Sequence, residues 1–149
     1  MSTVHERPKL VISRSSTLKI VRIITAVQVM RLAGIQLFIE GQAGEFPSYF
    51  AYPFGIGDLF VGLLALPVAN SLRTGGIRKY ALVIAWNSVG LADLLFASTV
   101  ASYGGLNSTI MTDLQTALVV VPVSILLHCV SVALLFTKPL KQFFSESSV

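Results

Sequence analysis

The sequence predicts an all-α polytopic membrane protein, a four-transmembrane-helix bundle with its N- and C-termini in the cytoplasm. Of its 149 residues, 54% are hydrophobic and 12% are charged, and the mean hydropathy is +0.76. Soluble domains contain about 25% charged residues. The charged residues also cluster at the ends of four apolar runs, each about 20 residues long, which is the length needed to cross the hydrocarbon core.

Basic residues occupy alternate connections along the chain. Ten of the eleven Lys and Arg residues lie within residues 1–22, between the second and third apolar runs, or after the fourth run. Because cytoplasmic connections of membrane proteins are enriched in Lys and Arg, both termini are expected in the cytoplasm. Such bases also attract anionic lipid headgroups, so the net charge of +4 indicates a lipid bilayer as partner and no nucleic acid.

A basic cytoplasmic tail, residues 1–17, precedes the first predicted span, residues 18–39. Lys19 and Arg22 lie one helical turn apart at the start of this span, where long basic side chains reach the headgroup region. Arg31 is too deep to do so, because it lies about eight residues, or about 12 Å, from the far end of the span. The first span therefore carries one arginine that needs a partner inside the membrane.

The connection at residues 40–52 contains two acids, four aromatic residues and no base. Aromatic residues are enriched at the membrane–water interface, so we expect a short interfacial helix or a re-entrant turn here. The second span, residues 53–72, is expected to begin at Pro53, since proline is tolerated in the first turn of a helix. A tight polar turn with two adjacent glycines follows it.

The third predicted span covers residues 80–101 and the fourth covers residues 114–136. Both contain residues that are rare in hydrocarbon: an asparagine and an aspartate in the third span, and a histidine in the fourth. The tail at residues 137–149 is polar and is expected to be cytoplasmic and mobile. The membrane domain is therefore predicted to extend over residues 18–136.

Three ionisable residues within the predicted spans form the main candidate site, a buried polar cluster of Arg31, Asp58 and Asp93. Asp58 lies about five residues from the outer end of its span, and Asp93 and Arg31 about eight, which corresponds to depths of about 7 to 12 Å. An ion in hydrocarbon costs about 3 kcal/mol or more unless it is paired. We therefore expect Arg31 to pair with one or both aspartates, either to hold a ligand or to lock the bundle.

A secondary polar group is predicted in the inner half of the bundle, from Asn87, Ser124 and His128. Ser124 and His128 are four residues apart and therefore share one face of the fourth span. Polar residues in such positions can serve only as contacts between helices, each worth about 0.6–2 kcal/mol. A purely structural role is therefore the alternative for all three.

The residues predict no metal site and name no cofactor. His128 is the one histidine in a predicted span, and no paired ligand spacing accompanies it. The glycines do not form a phosphate-binding loop, because no strand and no following Gly-Lys-Ser/Thr sequence accompanies them. The single cysteine, Cys129, lies in an apolar run and is expected to be a small buried hydrophobic residue.

The segment Gly55-Ile-Gly-Asp58 resembles the glycine-x-glycine-aspartate motif of the intramembrane aspartyl proteases, such as presenilin and the prepilin peptidases. The resemblance covers four residues. It implies that Asp58 is one catalytic carboxylate and that Asp93 is its partner, the two sharing a proton to activate water.

The layout of most of the chain resembles that of small four-span bacterial membrane proteins of uncharacterised function. The shared features are an arginine in the first span, a short aromatic connection, GIGDLFVGLLALP in the second span and AWNSVGLADLL in the third. The layout also loosely resembles the DoxX-like four-helix proteins associated with quinone-linked redox complexes. These resemblances imply a multi-pass protein of the bacterial cytoplasmic membrane.

The expected function is that of a ligand-binding, transport or complex-supporting helix bundle, and not that of an enzyme. The alternatives are a membrane enzyme that uses the paired aspartates and a quinone-linked redox subunit. A homodimer or a partner in a membrane complex is also an open expectation, because four spans are few to enclose a pathway across the membrane.

Overall fold

The computed structural model describes residues 14–105 and 120–146. Its elements are the helices α1 (Arg14–Val27), α2 (Gly34–Ala43), α3 (Ser48–Ser71), α4 (Ile77–Tyr103), α5 (Val121–Leu135) and α6 (Lys138–Glu146), with a 3-10 helix (Gln28–Ala33) between α1 and α2. No strand occurs in these two ranges. The all-α class predicted from the sequence is confirmed.

Three helical segments are individually long and apolar enough to cross a membrane: Arg14–Ala43, α3 and α4. A fourth span depends on α5 and α6, which meet this criterion only as a pair and are inclined to each other by 67°. Residues 114–119, where the predicted fourth span begins, lie outside the described residues. Three to four candidate spans are compatible with a multi-pass membrane protein.

The first span changes its winding where it carries Arg31. Residues Gln28–Ala33 form a 3-10 helix between α1 and α2. In this geometry side chains three residues apart eclipse each other, so Gln28 and Arg31 project in the same direction, and both are buried. Short 3-10 stretches inside longer helices are typical of strained or functional segments. The local winding thus sets the position of Arg31 in the bundle.

The connection between the first and second spans is shorter than the sequence predicts. α2 is ended by Gly44, whose φ of 79° is left-handed, and α3 begins at Ser48 directly after the N-cap residue Pro47. A separate interfacial helix or re-entrant turn over residues 40–52 is therefore wrong, and so is a helix start at Pro53. Pro47 can precede the helix because the missing N–H of a proline is not needed there.

The earlier start of α3 places Asp58 deeper in the bundle than the sequence predicts. Asp58 lies ten residues after Ser48, about 15 Å at the helical rise. Asp93 lies ten residues before Tyr103, where α4 ends. Because α3 and α4 are consecutive and joined by a short turn, these two ends lie on the same side. The two carboxylates are therefore at matching depths.

The buried residues form three layers along the bundle axis. At the end that holds α6 and the start of α1 lies one apolar cluster, composed of Val21, Val61, Ala65, Val68, Leu72, Val83, Trp86, Leu135, Leu140 and Phe144. At the opposite end Phe50, Phe54 and Ala101 form a second apolar cluster. Along α3 and α4 the aspartates fall between these two clusters. The polar residues therefore form a middle layer.

The C-terminal segment is an amphipathic helix and not the mobile polar tail that the sequence predicts. In α6, Leu140 and Phe144 are 0% and 1% exposed, and their spacing of four residues places them on one face. The ring of Phe144 packs at 5.2 Å from that of Tyr80 on α4. At the end of α6, Glu146 forms an ion pair with Arg14 at 3.0 Å. Both chain ends of the described structure thus meet.

We expect this packing to protect the backbone of α6 from hydrogen exchange. Opening α6 must expose the Phe144 side chain, so Phe144→Ala should accelerate exchange along the helix. Gln142→Ala, on the exposed face, should leave exchange unchanged. Hydrogen-exchange mass spectrometry of the detergent-solubilised chain measures both variants. Rapid exchange of the whole of Lys138–Glu146 in the wild type would show that α6 is not docked.

Large apolar side chains cover the outward faces of the bundle. Leu63, Phe96 and Leu126 are 65%, 62% and 61% exposed. Cys129 is also exposed, so the expectation that it is buried is wrong. The reason is local, because Cys129 follows the fully buried His128, and successive residues of a helix point about 100° apart.

Candidate functional site

Arg31 contacts both aspartates of the predicted cluster. Its side chain is 1% exposed. Its Nε donates a hydrogen bond to Asp58 Oδ1 at 2.6 Å, and its Nη2 forms an ion pair with Asp93. Its Nη1 donates to the backbone carbonyl of Gly90 at 3.0 Å. All three guanidinium nitrogens therefore have acceptors, and these acceptors lie on α3 and α4.

The two carboxylates are more accessible than the guanidinium. The side chains of Asp58 and Asp93 are 26% and 16% exposed, against 1% for Arg31. Arg31 is therefore the most enclosed member of the cluster, and the aspartates are its partly exposed members.

The cluster is not neutral when its three groups are ionised. One guanidinium compensates one carboxylate, which leaves one negative charge between two apolar layers. Opposite unit charges about 4 Å apart attract by about 4 kcal/mol at an effective dielectric constant of about 20. The residual charge thus favours a cation. Within residues 14–105 and 120–146, no group of three His, Cys, Asp or Glu side chains is placed to hold a metal ion.

Two glycines make room for the carboxylates. A Cβ added at Gly34 would collide with the Cβ of Asp58, and a Cβ added at Gly57 would collide with the carboxylate of Asp93. Gly34 follows the 3-10 helix, whereas Gly57 immediately precedes Asp58 on α3. The backbone of each helix thus approaches a charged side chain of the next helix closely, and only glycine leaves the space.

The structure brings together two of the three residues of the secondary group. His128 Nδ1 lies 3.0 Å from Asn87 Oδ1. The other end of the Asn87 amide donates from Nδ2 to the carbonyl of Val83 at 2.8 Å, so Oδ1 is the acceptor and His128 Nδ1 carries the proton that is donated to it. Ser124 is not part of this pair. Its backbone carbonyl instead accepts a hydrogen bond from Gln28 Nε2 at 3.2 Å.

Gly90 joins the two polar groups, which the sequence places at different depths. Its carbonyl accepts the hydrogen bond from Arg31. A Cβ added at Gly90 would lie 2.5 Å from His128 Nε2 and 3.2 Å from Arg31 Nη1. His128 and Arg31 therefore both approach the space beside the backbone of Gly90. The arginine cluster and the histidine pair form one continuous polar layer.

Several polar atoms of this layer are fully buried and have no protein partner within the described residues. Those on the first span and α5 are Thr25 Oγ1, Gln28 Oε1, Ser124 Oγ, His128 Nε2 and Ser131 Oγ. An unsatisfied buried polar group costs about 1–3 kcal/mol, and such groups in proteins are usually satisfied by ordered water. The interface between the first span and α5 is therefore suited to internal hydration.

Sequence reasoning did not assign Gln28, Gly34 or Gly57 to the site. The sequence does contain a signal for Gln28. It lies three residues before Arg31, and residues three apart lie on the same face of both an α-helix and a 3-10 helix. The glycines carried no comparable signal. The close approach that they allow depends on how neighbouring helices cross, and a single sequence does not contain that information.

A protein-family model described as "Domain of unknown function (DUF8737)" matches residues 7–136. The match includes Arg31, Asp58, Asp93 and His128. No curated protein and no solved structure matches the chain. The resemblance to the DoxX-like proteins is therefore not supported.

Proposed function

Because the chain belongs to the family described as a domain of unknown function (DUF8737), we propose its function from the polar layer itself. In this proposal it is an integral membrane protein, and not an enzyme, that binds one monovalent cation at Asp58 and Asp93. The cation is a proton or a small alkali ion. The observation that carries the proposal is the contact of one buried guanidinium with two carboxylates.

The outward faces support membrane insertion. Long helices that expose leucine and phenylalanine in mid-helix, such as Leu63 and Phe96, suit hydrocarbon and not water. In the proposed topology α5 belongs to the fourth span, and both termini lie in the cytoplasm of a bacterial cell. The bases in the two terminal segments and in the turn between α3 and α4 favour this orientation.

The accessible side of the cluster supports cation binding. The side chains of Asp58 and Asp93 are partly exposed, and their combined charge exceeds that of Arg31 by one unit when both are ionised. A purely structural lock needs one carboxylate for one guanidinium, so the second aspartate adds a cost of about 3 kcal/mol or more in hydrocarbon. A bound cation would offset this cost. The residual charge is the reason for preferring a binding site to a structural contact.

The aspartyl-protease alternative is less compatible with the geometry. Its chemistry needs two carboxylates that share a proton and hold a water molecule between them. Here Asp58 and Asp93 both contact Arg31, so the guanidinium occupies the position between them. A catalytic water would have to displace the arginine, whose side chain is 1% exposed.

We expect Asp58→Asn or Asp93→Asn to abolish cation binding without unfolding the protein. Either variant leaves one guanidinium with one carboxylate, a neutral pair, so the residual charge is lost and cation affinity should fall by about two orders of magnitude or more. Glu146→Gln is the matched control, because it removes a carboxylate that is 60% exposed and distant from the cluster. It should leave binding unchanged.

The measurement uses the full chain in lipid nanodiscs. Infrared difference spectroscopy detects a protonated aspartate at neutral pH, and equilibrium binding of radiolabelled sodium counts alkali ions. A protonated-carboxyl band that disappears in both variants would identify the ligand as a proton, whereas one sodium bound per chain would identify it as an alkali ion. The absence of both signals from the wild type, or their persistence in both variants, would overturn the proposal.

A further inference from the structure

A basic cavity lies between the first and second spans, away from the polar layer. Its volume is about 480 Å³, and the residues that matter for its chemistry are Lys19, Arg22, Ile23, Leu66, Asn70 and Arg73. Asn70 lies in the last turn of α3 and Arg73 in the turn that follows the helix, whereas Lys19 and Arg22 lie near the start of α1. The cavity therefore lies at the end of the bundle that carries the chain termini.

The cavity concentrates positive charge without a matching acid. Lys19, Arg22 and Arg73 line it, and the lining contains no carboxylate. Within the described residues the ion pairs are those of Arg14 and Arg31, so none of these three bases has an acidic partner there. Three cations around one cavity repel one another unless an anion lies between them.

Arg22, which lines the cavity, also carries an unpaired donor. Its Nε is buried and has no hydrogen-bond partner among residues 14–105 and 120–146, although an arginine N–H is a strong donor. Leaving such a donor unpaired in a buried position is unfavourable by the same argument that applies to the polar layer. Because this atom is closed to solvent, an acceptor in the cavity reaches it only when the Arg22 side chain turns toward the cavity.

We propose that this cavity binds a phosphate group, with Arg22 and Arg73 as its principal donors. Arginine recognises phosphate oxygens through paired N–H donors, and basic pockets between transmembrane helices on the cytoplasmic side are suited to anionic lipid headgroups. Ile23 and Leu66 line the same cavity and are 53% and 55% exposed, so an acyl chain would continue along them. The phosphate belongs either to such a lipid or to a soluble phosphate compound.

This proposal does not depend on the cation site, because the two sites share no residue. The cation site is negative and lies in the middle layer, whereas the cavity is positive and lies at the terminal end. The tests are also separate. Loss of cation binding in the aspartate variants leaves the phosphate proposal unaffected, and the reverse also holds.

The test compares two charge-matched double variants of the full chain. Arg22→Gln with Arg73→Gln removes two positive charges from the cavity. Lys138→Gln with Lys141→Gln removes two positive charges from exposed positions of α6. Neither of these lysines lines the cavity. Circular dichroism and thermal unfolding of both variants establish that each is folded before binding is measured.

Native mass spectrometry of detergent-solubilised protein with added phosphatidylglycerol or phosphatidylcholine measures lipid retention. We expect the wild type and the α6 variant to retain one phosphatidylglycerol molecule in preference to phosphatidylcholine, and the cavity variant to lose this preference by about tenfold or more. Inorganic phosphate is the second probe. Stabilisation of the wild type by phosphate, without lipid retention, would assign the site to a soluble phosphate compound.

Two results would overturn the proposal. Equal loss of lipid binding in both double variants would show that only the overall charge of this end attracts lipid. Unchanged retention of phosphatidylglycerol in the cavity variant, together with no effect of phosphate on the wild type, would show that the cavity is not a phosphate site.

Discussion

Arg31→Met should lower the free energy of unfolding by about 3–5 kcal/mol, the typical effect of removing one partner from a buried ion pair. The methionine fills much of the same volume, so packing is largely kept. The loss comes from Asp58 and Asp93, which would then lie within the apolar bundle without a counter-charge. Reversible unfolding in mixed detergent micelles measures the change, and a lower yield of folded protein should accompany it.

Arg14→Met is the matched control. Arg14 also pairs with a carboxylate at 3.0 Å, but its side chain is 45% exposed, and surface pairs contribute about 0–1 kcal/mol. A triple variant that combines Arg31→Met with Asp58→Asn and Asp93→Asn should regain most of the lost stability, because no charge then remains. Equal effects of the Arg31 and Arg14 variants would show that the charge of the cluster has no energetic importance.

The residues of the cluster could be identified from the sequence because the free energy of placing an ion in hydrocarbon is unfavourable. Arg31, Asp58 and Asp93 stand out in apolar runs, and counting residues from the ends of the runs places them at similar depths. The estimate for Asp58 was about half the observed depth, since it assumed that the helix starts at Pro53 and not at Ser48. The expected contacts were insensitive to this error, because arginine is long enough to reach either level.

The link between the two polar groups could not be derived in this way. Counting residues from the end of a span gives the depth of a side chain in its own helix. It gives no information on the angle at which two helices cross. The approach of His128 and Arg31 to Gly90 depends on that crossing and on the 3-10 winding around Arg31. Neither has a local signal strong enough to be recognised in a single sequence.

The C-terminal helix was missed for a different reason. Its apolar face consists of few residues, chiefly Leu140 and Phe144, within a segment that is otherwise polar. The spacing of four residues was present in the sequence. The segment nevertheless follows the last apolar run and lies in a terminal tail, where disorder is common. Packing against Tyr80 supplies the stability that the segment itself does not.

Gly34→Ala should be strongly destabilising, by about 3 kcal/mol, which is the upper part of the range for overpacked cores. The obstacle is the Cβ of Asp58, whose position is fixed by the backbone of α3. It cannot move aside as the end of a flexible side chain does. The sign of the change in the free energy of unfolding is itself informative, because Gly→Ala within an unobstructed helix stabilises the protein by about 1 kcal/mol.

Gly55→Ala is the control on the facing helix. Its added Cβ would meet the carbonyl oxygen of Gly34 at 3.1 Å, a tight contact that small shifts can relieve, so its effect should lie within about 1 kcal/mol of zero. Double variants then identify the obstacle. The effect of Gly34→Ala should persist beside Asp58→Ala, which keeps the Cβ, and should largely disappear beside Asp58→Gly. If Asp58→Ala relieved it equally, the carboxylate and not the close approach of the two helices would be the cause.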